Sequence, residues 1–218
     1  MYNTSILCWN ARGLNGRARR DAVRTLVQSE RPHVVCILET KLQYVPQLLV
    51  AAMLEMNFVD YAYLPAMGTC GGIIVAAQQP DVRLDDVLIG CFTVTVRVHA
   101  GDQPPWWLTS VYGPQEDNKK LLFLEELSAV RDACSGPWAV IGDFNLILDE
   151  ADKNNANINR RNMSRFRQTV ANLELLDIHL HGRRYTWSNE RRSPTLVRLD
   201  RALVSMDWEA LHPDCVGV

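Results

Sequence analysis

The sequence predicts a mixed α/β (α+β) fold in which helices cover sheets. Three observations predict it. Apolar runs of strand length interleave with amphipathic helical segments. A long alternating stretch, residues 81–114, reads as a meander of antiparallel strands. Hydrophobic residues make up 47% of the chain, enough for a sizeable core. The 218 residues hold no internal repeat, low-complexity tract or linker, so one domain spanning 1–218 is expected.

The elements follow in order. "TSILCWN" reads as a short strand with Ile6 and Leu7 apolar and Trp9 bulky. "GRARRDAVRTLVQSERP" reads as an amphipathic helix: Ala22, Val23, Leu26 and Val27 form its apolar stripe, arginines its outer face, and Pro32 stops it. "HVVCILET" is a continuous apolar run suited to a strand buried on both faces. "PQLLVAAMLEM" reads as a helix, and "GTCGGIIVAAQ" as a glycine-marked turn into another strand. After the meander, "QEDNKKLLFLEELSAVRDAC" has acids in its first turn and helix-spaced Leu121, Leu124 and Leu127. "PWAVIGDFN" reads as a strand, and "NRRNMSRFRQTVANLEL" as a helix with Met163, Phe166, Val170 and Leu173 inward. "RRYTWSN" and "TLVRLDRALVS" are late strands.

Composition excludes several classes. No apolar run approaches the ~20 residues of a membrane helix, and the N-terminal residues show no basic leader, so export is not expected. Cysteines at 8, 36, 70, 91, 134 and 215 lack Cys-x-x-Cys pairing, which predicts a reduced intracellular protein without structural zinc. The net charge of −2 conceals segregation: residues 1–50 and 151–201 are basic, 51–150 and 202–218 acidic. Nineteen of the 23 basic residues are arginine, the side chain suited to bidentate phosphate contacts, so the basic segments are candidates for an anion-binding face.

Four apolar runs share one feature at their ends. "ILCW" ends in Asn10, "VVCIL" in Glu39, "WWLTSV" in Tyr112, and "WAVIG" in Asp143 with Asn145. A carboxylate at a strand end needs a partner, an ion or a chemical task. Two carboxylates with amide oxygens form a hard, oxygen-rich donor set suited to Mg²⁺, which accepts one or two carboxylates and keeps several waters.

"WNARGLN", "ETK", "VYGP", "GDFN" and "RLDRALVS", in this order and spacing, resemble the endonuclease/exonuclease/phosphatase superfamily. Within it, the chain is most similar to the apurinic-type endonuclease domain of LINE-type (non-LTR) retrotransposons, especially those of plants. The resemblance implies a DNase I-like, four-layered α/β/β/α sandwich with two central mixed sheets. It also implies a phosphodiesterase that uses Mg²⁺, or Mn²⁺, to nick DNA and prime retrotransposition. The catalytic residues it implies are Glu39, Tyr112, Asp143, Asn145 and Asp200. Glu39 and Asn10 resemble the metal ligands, and Asn10 also lies in the phosphate shell. Asp143 resembles the group that orients or deprotonates the attacking water, Asn145 a phosphate-contacting amide, and Tyr112 the phenol on the scissile phosphate. Asp200 resembles a carboxylate that orients a catalytic histidine. Asn159, Arg160, Arg184 and Trp187 are the implied DNA contacts, with arginine-rich helices tracking the backbone.

The resemblance departs at two points. Arg12 stands where some apurinic endonucleases carry an acid, and the family's last motif, Ser-Asp-His, does not occur in the 218 residues. The expectation is a single domain lacking its C-terminal segment, impaired in catalysis, with a reverse transcriptase domain downstream in an intact element. The expected protein is monomeric, intracellular (nuclear if functional), not membrane-bound, and partnered by DNA. Two alternatives stand beside it: an inactive nucleic-acid-binding remnant, and a phosphatase acting on inositol lipids or other small phosphoesters.

Overall fold

The computed structural model describes residues 4–68 and 71–217. Thr69 and Cys70 of the glycine-marked turn lie outside the described residues. The chain divides after Tyr112 into two compact units, Met1–Tyr112 and Gly113–Val218.

The first unit contains β1 (Ile6–Asn10), α1 (Arg17–Glu30), β2 (Val34–Leu38), α2 (Gln47–Leu54), β3 (Asp60–Leu64) and β4 (Ile73–Ala77), followed by the meander β5 (Val82–Ile89), β6 (Thr93–Ala100) and β7 (Trp106–Tyr112). One sheet has the order β1-β2-β4-β3, with β1 parallel to β2 and the other pairs antiparallel. β6 pairs antiparallel with both β5 and β7. All five residues of β2 are buried because both its faces are covered. Val35 and Ile37 pack with Ile74 and Ala76 against Val23, Val27, Val50, Met53, Leu54 and Phe58. Each such side chain contributes about 1.5–3 kcal/mol when fully buried. β2 also contacts β7, and β4 contacts both β6 and β7, so this unit has a second core layer. There burial pushes the Cys36 thiol up to about 12, leaving it an inert small hydrophobe.

The second unit contains a 3-10 turn (Asp117–Lys119) running into α3 (Lys120–Ala133), then β8 (Trp138–Asp143), a second 3-10 turn (Glu150–Asp152) and α4 (Arg160–Asn172). It continues with β9 (Leu175–Asp177), β10 (Trp187–Ser188), β11 (Leu196–Val197), β12 (Asp200–Ser205) and α5 (Met206–Leu211). β12 pairs antiparallel with both β8 and β9, and β10 with β11. Phe144 lies between Phe123 and Phe166, with ring centroids 6.1 and 5.2 Å away.

Most elements stand where the pattern placed them. α1 ends at Arg31, which adopts the left-handed conformation and donates its N–H to the Val27 carbonyl just before Pro32. Some details differ. Ala22 is exposed, because the buried stripe of α1 centres on Val23 and Val27. Leu121 is also exposed: α3 turns Phe123, Leu124, Leu127 and Val130 inward instead. Glu116 and Asp117 precede that helix rather than occupying its first turn. The pattern gave no sign of β3, whose tyrosines blur the alternation, or of β9, three residues long. It also missed α5, which follows β12 without a break. Among the described residues no helix is long and apolar enough to cross a membrane.

Candidate active site

Two clusters of the expected residues form, one in each unit. In the first unit, parallel pairing sets Asn10 beside Leu38, so Glu39 leaves β2 next to the end of β1. The two chain exits are bonded together. Ala11 donates its N–H to the Leu38 carbonyl at 3.0 Å, Gly13 to that of Glu39 at 2.7 Å, and Leu14 to that of Thr40 at 2.7 Å. The Asn10 Oδ1 accepts the Arg12 N–H at 3.1 Å, and the Glu39 carboxylate pairs with the Lys41 ammonium at 3.2 Å.

The backbone here is unusual: Arg12, Glu39 and Lys41 all adopt positive φ, of 50°, 52° and 57°. Non-glycine residues in that region concentrate at functional sites, where surrounding contacts over-determine them. Gly72 supplies one such contact by accepting the Thr40 N–H at 3.1 Å. A Cβ on Gly72 would come within 2.3 Å of the Thr40 hydroxyl, so only glycine fits. In the same unit Tyr112 ends β7, half-buried, with its N–H on the Phe92 carbonyl at 3.0 Å.

In the second unit, Asp143 ends β8 and is 7% exposed. The buried Phe144, packed between Phe123 and Phe166, anchors the turn between Asp143 and Asn145. The Asp143 carboxylate accepts the Asn145 N–H at 2.9 Å, and Asn145 adopts φ 50°. The Asn145 Nδ2 donates to the Gly113 carbonyl at 2.8 Å, which fixes the amide and leaves its second N–H for another acceptor. Gly113 in turn donates its N–H to the Asp143 carbonyl at 2.7 Å; a Cβ there would meet the Phe144 carbonyl oxygen at 2.2 Å.

The ladder places Asp200 directly opposite Asp143, two carboxylates at one strand end. Thr186 holds the start of β12, its hydroxyl accepting the N–H groups of Leu199 and Asp200 at 3.0 and 3.1 Å.

Sequence reasoning missed five supporting residues. Lys120 is 4% exposed and donates to the carbonyls of Pro114 and Asn145, the latter at 2.6 Å. Burial lowers its pKa to about 8, against the opposing pull of Asp117, Asp143 and Glu116. Arg201, its side chain 1% exposed, pairs with Asp152 and Asp177, and Arg198 pairs with Asp177 at 3.0 Å. Burial pushes the Asp177 carboxyl up, with Arg201 and Arg198 opposing it. The signals were an arginine set among apolar residues in "DRALVS" and a basic residue opening a helix.

The expected DNA contacts lie at the surface, several of them with structural partners. Asn159 caps α4, accepting the Asn162 N–H at 3.1 Å and donating to Asp117 at 3.1 Å. Arg160 pairs with Glu150, and Arg184 donates to the Ala151 carbonyl at 3.1 Å. Trp187 is 37% exposed on the β10–β11 ribbon. The arginines of α1 divide. Arg19 and Arg20 donate to the carbonyls of residues 11, 12, 14 and 15, whereas Arg24 is exposed. Arg161, Arg183, Arg191 and Arg192 are exposed too. Among the described residues no three carboxylate, imidazole or thiol groups cluster closely enough to hold a metal ion.

The fold is that of several solved structures, AP endonucleases and a retrotransposon endonuclease domain among them. The chain aligns with the AP endonuclease LMAP from Leishmania major at TM-score 0.71 and 17% identity, covering 94% of this chain and 79% of that one. It aligns with the endonuclease domain of TRAS1, a telomere-specific non-LTR retrotransposon, at TM-score 0.68 and 15% identity, covering 94% and 86%. It aligns with D. rerio TDP2 complexed with single strand DNA product at TM-score 0.62 and 19% identity, covering 93% and 83%. At these identities the likeness establishes the fold, which is the expected DNase I-like α/β class. No curated protein matches by sequence. The model of the Endonuclease/Exonuclease/phosphatase family matches residues 7–217, nearly the whole chain. The chain therefore belongs to the endonuclease/exonuclease/phosphatase family.

Proposed function

We propose that the chain is a Mg²⁺-dependent phosphodiesterase of the endonuclease type, acting on DNA and nicking one strand to free a 3′-hydroxyl that primes reverse transcription. Membership of a family of nucleases and phosphatases supports phosphoester hydrolysis. The order of the motifs and the fold likeness to the TRAS1 endonuclease domain support the retrotransposon setting, and with it a nuclear site of action.

Phosphodiester hydrolysis needs an oriented water, stabilisation of the charge on a pentacovalent phosphorane, and help for the leaving 3′-oxygen. Asp143, buried and tethered at a strand end, orients the water and accepts its proton. Asn145 offers its second N–H, and Tyr112 its phenolic O–H, to non-bridging phosphate oxygens without adding negative charge. Asp200 supplies a second carboxylate across the ladder from Asp143.

Glu39 and Asn10 would hold the cation. Side by side at the ends of parallel strands, they offer only oxygen ligands and few of them, which fits an ion that retains several waters. Mn²⁺ fits the same donors. When bound, the cation supplies Lewis acidity and lowers the pKa of its water.

One observation carries the reading: a buried carboxylate, an amide with a fixed orientation and a second carboxylate share one strand end. The test is nicking of supercoiled plasmid. A Mg²⁺-dependent nick is expected, lost on adding a chelator. Glu39→Gln is expected to abolish it and to weaken Mg²⁺ binding in calorimetry. Salt-sensitive DNA binding with no nick in either Mg²⁺ or Mn²⁺ would overturn the catalytic reading. Phosphate release from a small soluble phosphoester, with plasmid left intact, would favour a phosphatase.

A further inference from the structure

Lys120 occupies a position that local physics disfavours. It is the first residue of α3, where the helix dipole repels a cation, and its ammonium is removed from water. Burial accordingly lowers its pKa to about 8. A purely structural need at such a site would be met by a leucine or methionine of similar volume. What the ammonium does instead is specific: it donates to the Pro114 and Asn145 carbonyls at once.

Those carbonyls belong to two turns that are already interlocked. Gly113 donates its N–H to Asp143, and the Asn145 side chain donates to Gly113. Without the ammonium, the buried Pro114 carbonyl and the half-buried Asn145 carbonyl lose a shared donor, and the Asn145 backbone, at φ 50°, loses one of the contacts that hold it there.

We propose that Lys120 is a positioning residue of the hydrolytic site, clamping the Gly113–Pro114 turn to the Asp143–Asn145 turn so that the Asn145 amide keeps one N–H aimed at the substrate phosphate. The inference rests on the nuclease reading for its consequence, but not for its geometry. Lys120 reaches the chemistry only through Asn145 and Asp143. Its loss therefore lowers turnover more than substrate affinity.

The experiment compares wild type with Lys120→Met, Lys120→Arg and the control Val130→Ala, which opens a small cavity further along α3. Lys120→Met is expected to lower kcat for plasmid nicking 10- to 100-fold with KM changed less than threefold. Lys120→Arg, which retains donors, is expected to restore most of the rate. Val130→Ala is expected to lower Tm without lowering kcat. Equal kcat in wild type and Lys120→Met would overturn the proposal.

A second readout needs no activity. The ¹H–¹⁵N resonances of the Asn145 side-chain amide are expected to shift and exchange faster in Lys120→Met, and to stay near their wild-type positions in Lys120→Arg and Val130→Ala. An unmoved amide in Lys120→Met would sink the clamp. A moved amide in Lys120→Met, with a wild type that never nicks DNA, would sink the nuclease reading and leave the clamp standing. Should Lys120→Met not fold, the Lys120→Arg amide decides: a resonance displaced and in fast exchange, with both carbonyls still within reach of donors, would count against the clamp.

Discussion

Lys120 shows how one residue's environment becomes a measurable pH dependence. Desolvation lowers its folded pKa from 10.5 to about 8, with Asp117, Asp143 and Glu116 partly offsetting the shift. Below pH 8 both folded and unfolded chains hold the proton, so the cost of burying the charge is constant and full. Between 8 and 10.5 the unfolded chain binds more protons, and stability contributed at this position rises with pH, by at most about 1.4 kcal/mol per pH unit. Above 10.5 the cost is gone. Lys120→Met cannot titrate. The wild-type minus variant difference in unfolding free energy is therefore expected to increase from pH 8 to 10 in urea titrations, and a flat difference would mean an ordinary, hydrated ammonium. The same residue illustrates what sequence hides: "NKKLL" announces a helix start, but not that its second lysine is buried.

At the scale of elements, the second unit is organised around β12. Arg201 ties this strand to the 3-10 turn through Asp152 and to β9 through Asp177. Asp152 also accepts the N–H groups of Leu148 and Asp149, each at 2.9 Å, so one carboxylate both caps a turn and neutralises a guanidinium. Breaking a buried pair by removing one partner costs about 3–5 kcal/mol, because the other charge is left uncompensated. Arg201→Met is expected to destabilise the protein by that amount in urea unfolding. Adding Asp152→Asn should recover part of the loss, which non-interacting sites would not do. The "RLDR" motif thus has two functions: its aspartate lies opposite Asp143, and its last arginine keeps that strand in place.

For the whole molecule, the charge distribution matters more than the total of −2. Arg19, itself exposed, and the half-buried Arg20 are committed to backbone carbonyls, whereas Arg24, Arg161, Arg183 and Arg192 are exposed side chains at other positions. If the proposed DNA binding is carried by phosphate contacts, log K falls with log salt by about 0.9 per phosphate neutralised. Replacing a contacting arginine removes about one unit of that slope. Arg192→Ala or Arg161→Ala is expected to weaken binding and flatten the salt dependence in fluorescence anisotropy. Arg20→Ala is expected to lower stability while leaving the slope unchanged. Identical slopes for all variants would place the DNA elsewhere on the surface.

The α/β class, nearly every long element and the polar residues that end the apolar strands are legible in the amino-acid order alone. These are local properties: periodicity, propensity and turn chemistry act over a few residues and are written in consecutive letters. The sequence also carried the motif order that marks the family. That Asp200 faces Asp143, that Glu39 leaves its strand beside Asn10, that the Asn145 amide is held by Gly113, and which arginines are exposed emerge only from the folded chain. Each depends on strand register or on burial between segments far apart in the chain. A slip of one residue in register would change every partner without altering a single local pattern.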